Sequence, residues 1–128
     1  MANTGDMIYT KLSGDGTISA SVGTRISPQW VQENSALPYI SYTLVSGNPI
    51  MVKNEDSFQD KELWQITVFD DVYDTAKTLA ARARIVLEGF SGTSASVVVK
   101  NIVYEGSFEA SDGKVFQVSN DYEVNRVV

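Results

Sequence analysis

The chain has 128 residues, a length that suits one domain, with 16 acidic against 10 basic residues, a formal net charge of −6 and a pI of about 4.5. It has no cysteine, which excludes disulfides, thiol catalysis and zinc–thiolate sites, and no histidine, which removes the commonest general base and the commonest metal ligand. An acidic chain with scattered Lys and Arg is a poor grip for a phosphate backbone or an anionic membrane, and its apolar runs fall far short of the roughly 20 residues that span a bilayer.

The opening Met1-Ala2-Asn3-Thr4-Gly5-Asp6 lacks a basic segment and does not read as a secretory signal, so a cytosolic protein, or one assembled in a cytosol, is the expectation. Met7 to Leu12 reads as a short helix, ended by Ser13-Gly14-Asp15-Gly16. Thr17 to Val22 reads as a second helical turn or a packed loop, closed by Gly23. Arg25-Ile26-Ser27-Pro28 fits a short edge segment, because proline cannot donate to a ladder. Gln29 to Ala36 is polar apart from Trp30 and Val31 and reads as a loop. Its Trp30 either caps the core or lies in a contact surface.

Leu37-Pro38 introduces a strand over Tyr39 to Ser46, where Ile40, Tyr42 and Leu44 alternate with Tyr39, Ser41, Thr43 and Val45. Gly47-Asn48-Pro49 is expected to break it. Ile50 to Asp60 is the least regular part of the chain. It is several times longer than the two to five residues an antiparallel connection needs. A loop of that length is either functional or a solvated hairpin tip, and its length does not choose between them.

Glu62 to Phe90 organises the rest. Trp64, Ile66 and Val68 fall on one side, and Gln65, Thr67 and Phe69 on the other, the period of a strand. After Asp70-Asp71 the period becomes helical through Val72, Ala76, Leu79, Ala83, Val86 (with Leu87) and Phe90. Asp71 and Asp74 suit the start of that helix and Gly89 its end. Lys77, Arg82, Arg84 and Glu88 form a charged outer face, for which ordinary solvation is the preferred reading. Ser91 to Ser94 reads as a loop. Ala95 to Glu105 reads as a third strand, kinked near Lys100-Asn101. Gly106 to Gly113 reads as a turn region, and Lys114 to Val124 as a fourth strand with Asn120-Asp121 as a possible bulge site.

The expected fold is α+β. A mainly antiparallel four-stranded sheet (a ββαββ core) carries one long helix on a face, with a short N-terminal helix, all within one domain over residues 1–128.

No catalytic, cofactor or metal constellation emerges. Asp70, Asp71 and Asp74 could offer oxygen ligands to a hard cation, but no glycine-spaced calcium loop is present and helix capping explains two of the three. Glu55, Asp56 and Asp60 could do paired-carboxylate work, yet a solvated charge run is the better reading. Without histidine no Ser–His triad can be built, and only a Ser–Lys pair stays open.

The order of these pieces resembles the tail completion, or tail terminator, proteins of long-tailed bacteriophages and related prophages. The likeness is carried by Gly23-Thr24-Arg25-Ile26-Ser27-Pro28, by Leu37-Pro38-Tyr39-Ile40-Ser41-Tyr42, by Leu63 to Leu87 with its Val68-Phe69-Asp70-Asp71-Val72-Tyr73-Asp74-Thr75-Ala76 junction, and by Asp121-Tyr122-Glu123-Val124. The resemblance implies a non-enzymatic virion protein without cofactors. It would form a hexameric ring with copies of itself at the head-proximal end of the tail, cap the tail tube, and meet the head-completion protein. DNA would slide through without specific binding. The long loop, with Lys53, Asn54, Glu55, Asp56, Ser57 and Phe58, is then the expected interface element. Another head–tail connector ring, or a small-molecule-binding α+β module, are the rival readings.

Overall fold

In the computed structural model, which describes residues 3–28, 36–51 and 58–127, the chain forms three helices and one six-stranded mixed sheet. Helix α1 (Thr4–Ser13) starts on Asn3, whose side chain accepts from the Asp6 N–H at 2.9 Å. Its Met7, Ile8 and Leu12 are buried. Helix α2 (Gly16–Val22) starts on Asp15, which accepts from the Ile18 N–H at 3.1 Å, and ends on Gly23 with φ +59°. The stretch from Thr17 to Val22 is therefore a helix.

Strand β1 (Ile26–Pro28) lies parallel to the start of β2 (Tyr39–Met51). Arg25 holds this corner by donating from Nε to the Pro38 carbonyl and from Nη2 to the Ser21 carbonyl, both at 3.0 Å. β2 then pairs antiparallel with β3 (Phe58–Asp70) along their whole length. The expected break at Gly47-Asn48-Pro49 does not occur. Pairing runs through these residues, with a one-residue bulge at Val45 instead. An edge strand tolerates a proline, so Pro49 punctuates nothing here. Correspondingly, the irregular stretch from Ile50 to Asp60 shrinks: both of its ends are strand, paired Ile50 to Gln59 and Met51 to Phe58.

Helix α3 (Tyr73–Leu87) buries Ala76, Leu79, Ala80, Ala83 and Leu87, the spacing expected of it. Gly89, at φ +80°, donates its N–H to the Ile102 carbonyl at 2.8 Å and ties the helix end to the sheet. Ser91 to Ser94 is not a plain loop: β4 (Gly92–Ser94) makes a tight hairpin with β5 (Val97–Ser111). The two linking residues, Ala95 and Ser96, both have positive φ, as a two-residue primed turn requires.

β5 pairs with β6 (Phe116–Val127) and is longer than expected. The stretch from Gly106 to Ser111, read as turn, is strand, and only 112–115 reverse the chain. β5 carries two bulges. The one at Lys100 is the expected kink. The other, at Glu105, replaces the bulge expected at Asn120-Asp121: β6 runs in regular register there, and the extra residue sits on its partner.

The strand order is β1-β2-β3-β6-β5-β4, with only the β1–β2 pair parallel. Four strands and one long helix were therefore too few. Of the two added strands, β1 lies where a short edge segment was expected over Arg25–Pro28, and β4 has three residues, too short to show a period. One face of the sheet holds the core, where Ile40, Trp64, Ile66, Val68, Val118, Tyr122 and Val124 meet the apolar sides of the helices. Each fully buried aliphatic side chain there contributes roughly 1.5–3 kcal/mol.

Candidate assembly surfaces

The expected interface loop is only partly visible. Lys53, Asn54, Glu55, Asp56 and Ser57 lie outside the described residues, as does Trp30, and Phe58 opens β3 opposite Met51. Asp60 sits inside β3, between Pro49 on one side and Arg126 on the other.

The Asp70 cluster is a joint between strand and helix. Asp70 is buried, and its carboxylate accepts from the Asp71 N–H at 2.8 Å. Burial pushes its pKa up, and the neighbouring Asp71 carboxyl adds to that. The N-cap of α3 is Val72 and makes no side-chain cap bond, so Asp71 is not the cap the sequence suggested. Asp74 does lie in the first turn, where it favours the helix dipole. Among the described residues no group of three or more Asp or Glu is placed to hold a metal ion.

The charged face of α3 is tied to its neighbours as well as solvated. Lys77 donates to Glu109 of β5 at 2.9 Å, and the Tyr73 hydroxyl meets the same carboxylate at 2.9 Å. Arg82 grips Asp15. Arg84 pairs with Glu88 at 2.6 Å and lies 3.8 Å from the centre of the Tyr104 ring. These contacts hold Glu109, Asp15 and Glu88 below their ordinary carboxylate range, through hydrogen bonds from Lys77, Arg82 and Arg84 respectively. The partners on β5 and α2 are 32 and 67 residues away in sequence, out of reach of a periodicity argument.

The opposite face of the sheet carries polar side chains. At its centre Thr67 and Ser119 share a buried hydrogen bond of 2.9 Å. Toward one end Glu105, Asp121 and Glu123 flank a shallow groove of about 300 Å³ with Lys61 and Leu63. Lys61 lies 3.4 Å from Glu123, and Gln65 donates to Asp121 at 3.3 Å. A bond from Asn125 lowers the Glu123 pKa. Asp121 and Glu123 are tied to β3, and the Glu105 and Glu123 carboxyls lie within hydrogen-bonding reach of each other.

The two borders of the sheet are its least finished parts. β1 covers β2 only at Ile40, Ser41 and Tyr42, and β4 covers β5 only at Val97, Val98 and Val99. Among the described residues no strand pairs the outer edge of Thr43–Met51 or that of Lys100–Ser111. Both borders expose large apolar groups: Leu44 (43%) and Val45 (52%) on β2, Val103 (39%) and Phe108 (50%) on β5. Soluble proteins usually shield such edges, because unpaired N–H and C=O groups template pairing with another chain. Sequence reading missed these borders because it ended β2 and β5 early.

Similarity to known proteins agrees with this geometry. A chain from a structure described as the virion of a native gene transfer agent particle shares the fold, with a TM-score of 0.77 and 16% identity over 97% of this chain and 94% of that one. A second solved chain gives a TM-score of 0.54 and 16% identity over 92% and 90%. No curated protein matches the sequence significantly. The sequence profile described as Tail completion protein gp17 matches residues 6–125, nearly the whole chain, and the chain belongs to that family.

Proposed function

We propose that the protein is a non-enzymatic structural component of a phage-like virion, one that caps the tail tube, ends its polymerisation and offers the surface on which the head is joined. In this reading it acts as a ring of copies of itself, hexameric as the family resemblance implies. Its partners are the tail tube protein on one side and the head-completion protein on the other. Its place is the head-proximal end of the tail, assembled in the host cytoplasm. The carrying observation is the family match over residues 6–125, on a sheet whose two borders carry no further strand among the described residues. The polar face with Glu105, Asp121 and Glu123 suits a channel wall, since carboxylates repel phosphate and let DNA slide without being held.

Removing the gene from the particle that encodes it should leave tails of irregular length without heads, and supplying the protein in trans should restore joined particles. Antibody labelling should mark the head-proximal tail end. Normal, joined tails without the protein would overturn the reading. Label at the portal instead would favour a different connector ring.

The segment from Lys53 to Phe58 is part of this proposal, as an element that meets the tube or the lumen. Met51 and Phe58 are paired, so replacing residues 52–57 with Asn-Gly should close a two-residue hairpin and leave the domain folded. Head joining should then be lost. Full joining by that variant would remove the segment from the interface.

A further inference from the structure

We propose that the subunits interlock edge to edge, with the open border of β2 in one copy pairing antiparallel to the open border of β5 in the next. The inference rests on the ring reading above and names the surfaces that would build it.

Direction comes first. β2 and β3 are antiparallel, as are β3 and β6, and β6 and β5, so β5 runs opposite to β2. A second copy placed so that it continues the sheet therefore presents β2 antiparallel to β5, the arrangement that hairpin strands already use here. Because the two borders are different surfaces, the contact is heterologous. A rotation that closes it generates a ring.

The outline of the borders fits this contact. β4 projects one strand width beyond β5 at its Val97–Val99 end. β1 projects one strand width beyond β2 at Ile40–Tyr42. When the next copy slides past β4, its β2 occupies the column below β4, and its β1 occupies the column beyond the end of β5. Among the described residues the unpaired part of β2, Thr43 to Met51, is nine residues (51 − 43 + 1), and that of β5, Lys100 to Ser111, is twelve (111 − 100 + 1). The shorter edge fits within the longer with three residues to spare. Two steps facing the other way would collide. The fit limits the register: Thr43 falls opposite one of Phe108 to Ser111, and Ser46 opposite one of Glu105 to Phe108.

Charge favours the same partner. Thr43 to Met51 contains no ionisable side chain. Two β5 borders facing each other would oppose Glu105 to a second acidic strand, whereas a neutral β2 border meets β5 without like-charge repulsion. Leu44, Val45, Val103 and Phe108, exposed in the isolated subunit, lie along the two borders that would meet.

The chain has no cysteine, so engineered pairs report cleanly. Ser46→Cys is combined in one chain with Ser107→Cys, and in separate chains with Glu105→Cys and Phe108→Cys, while Leu44→Cys with Phe108→Cys covers the register that sets Ser46 opposite Gly106. Each is oxidised both as purified protein and in tails, beside the single variants. Facing strands place cysteines within disulfide reach only near the right register. The expected result is a ladder of covalent multimers up to a closed ring in at least one double variant, with no ladder from any single one. A second test, Phe108→Lys, should leave the subunit folded by circular dichroism and lower its incorporation into tails at least tenfold. If wild-type protein sits at tail ends yet no pair gives a ladder, or if Ser107→Cys alone gives dimers, the edge pairing is wrong while the cap survives. If wild-type protein is absent from tails, the functional reading fails and takes this inference with it.

Discussion

Arg82 on α3 and Asp15 at the head of α2 meet through a two-pronged contact: Nη2 reaches one carboxylate oxygen at 2.7 Å and Nε the other at 3.0 Å. Asp15 is also the cap of α2, accepting from the Ile18 N–H. One side chain thus starts a seven-residue helix and clamps it to the longest helix in the fold. An isolated helix that short does not hold itself, so its stability comes from such contacts and from burying Ile18 and Val22. Asp15→Ala should cost about 1–2 kcal/mol, since it removes cap and clamp together. Asp15→Asn keeps the cap and should cost at most ~1 kcal/mol, the range of a solvated ion pair. The Asp15 carboxyl is held below its ordinary value of 3.8 by the Arg82 hydrogen bond. A depressed folded pKa stabilises the protein above the unfolded value, and that contribution is lost as the pH falls through the folded one. Urea melts at pH 7 and pH 3 should show the difference between wild type and Asp15→Asn shrinking at the lower pH. Equal costs for the two variants at pH 7 would mean the cap contributes nothing.

Asn120 is the polar post inside the core. It is buried on the helix side of β6 and donates to the Ala80 carbonyl at 2.9 Å and to the Tyr122 hydroxyl at 3.1 Å. Asn120→Ala leaves a cavity and removes a donor from two buried oxygens, for an expected loss of about 2–3 kcal/mol. Asn120→Asp keeps the shape but sets a carboxylate against the Ala80 carbonyl, so it should cost more than alanine at neutral pH. Burial would raise the folded pKa of that new carboxyl. Its penalty should therefore fall as the pH is lowered through that value, where the protonated group can donate again. Chemical denaturation at pH 7 and 5 separates the two variants. An aspartate variant no weaker than alanine at pH 7 would show that water reaches the site.

The parts of this fold that were legible in the sequence are those where one residue type repeats at one period. Trp64, Ile66 and Val68 announce β3, and Ala76, Leu79 and Ala83 announce α3, because both segments bury one face against the same core. The misread parts have local chemistry that points one way and pairing that points another. Gly47-Asn48-Pro49 looks like a stop, but β3 supplies partners along β2 and an edge strand can lack a donor. Gly106-Ser107 looks like a turn, yet β6 holds it in register. β4 has three residues, and only its neighbour makes it a strand, whereas β1 falls on the edge segment expected over Arg25–Pro28. The open borders follow from how far pairing extends, which is a tertiary property. No residue pattern carries it.

Asp70 should be a residue the protein is better off without as a charge. It is buried beside Asp71, and burial, the largest cause, raises its pKa. A carboxyl whose folded pKa is raised weakens the fold above that value, and the penalty disappears as the pH falls below the unfolded one. Asn keeps an oxygen for the Asp71 N–H and adds a donor for the Asp71 carboxylate. Asp70→Asn should therefore raise stability at pH 7 by about 0.5–1 kcal/mol, with the gain vanishing near pH 4. Thermal melts across that range check it. A loss of stability at pH 7 would mean that the charge is needed to start α3, as a substitute for the cap that Val72 does not provide.

Two glycines with equal room around them should respond with opposite sign. No atom lies within 4 Å of the position a Cβ would take at Gly16 or at Gly106. Gly16 opens α2 and has no positive φ, so Gly16→Ala should stabilise by up to ~1 kcal/mol through the unfolded chain. Gly106 follows the Glu105 bulge with φ +147°, a conformation that a side chain resists whatever the space. Gly106→Ala should cost about 1–3 kcal/mol, or else shift the bulge. The second outcome matters more, because Gly106 lies in the middle of the open border of β5. Moving the bulge would change which β5 groups face outward and displace the register available to a neighbour. Gly106→Ala should accordingly lose tail incorporation beyond what its melting temperature explains, whereas Asp15→Ala, destabilised at the head of α2 and away from both borders, should not. Comparing incorporation of the two at matched stability isolates the edge from the fold, and equal incorporation would mean that the border conformation is irrelevant to assembly.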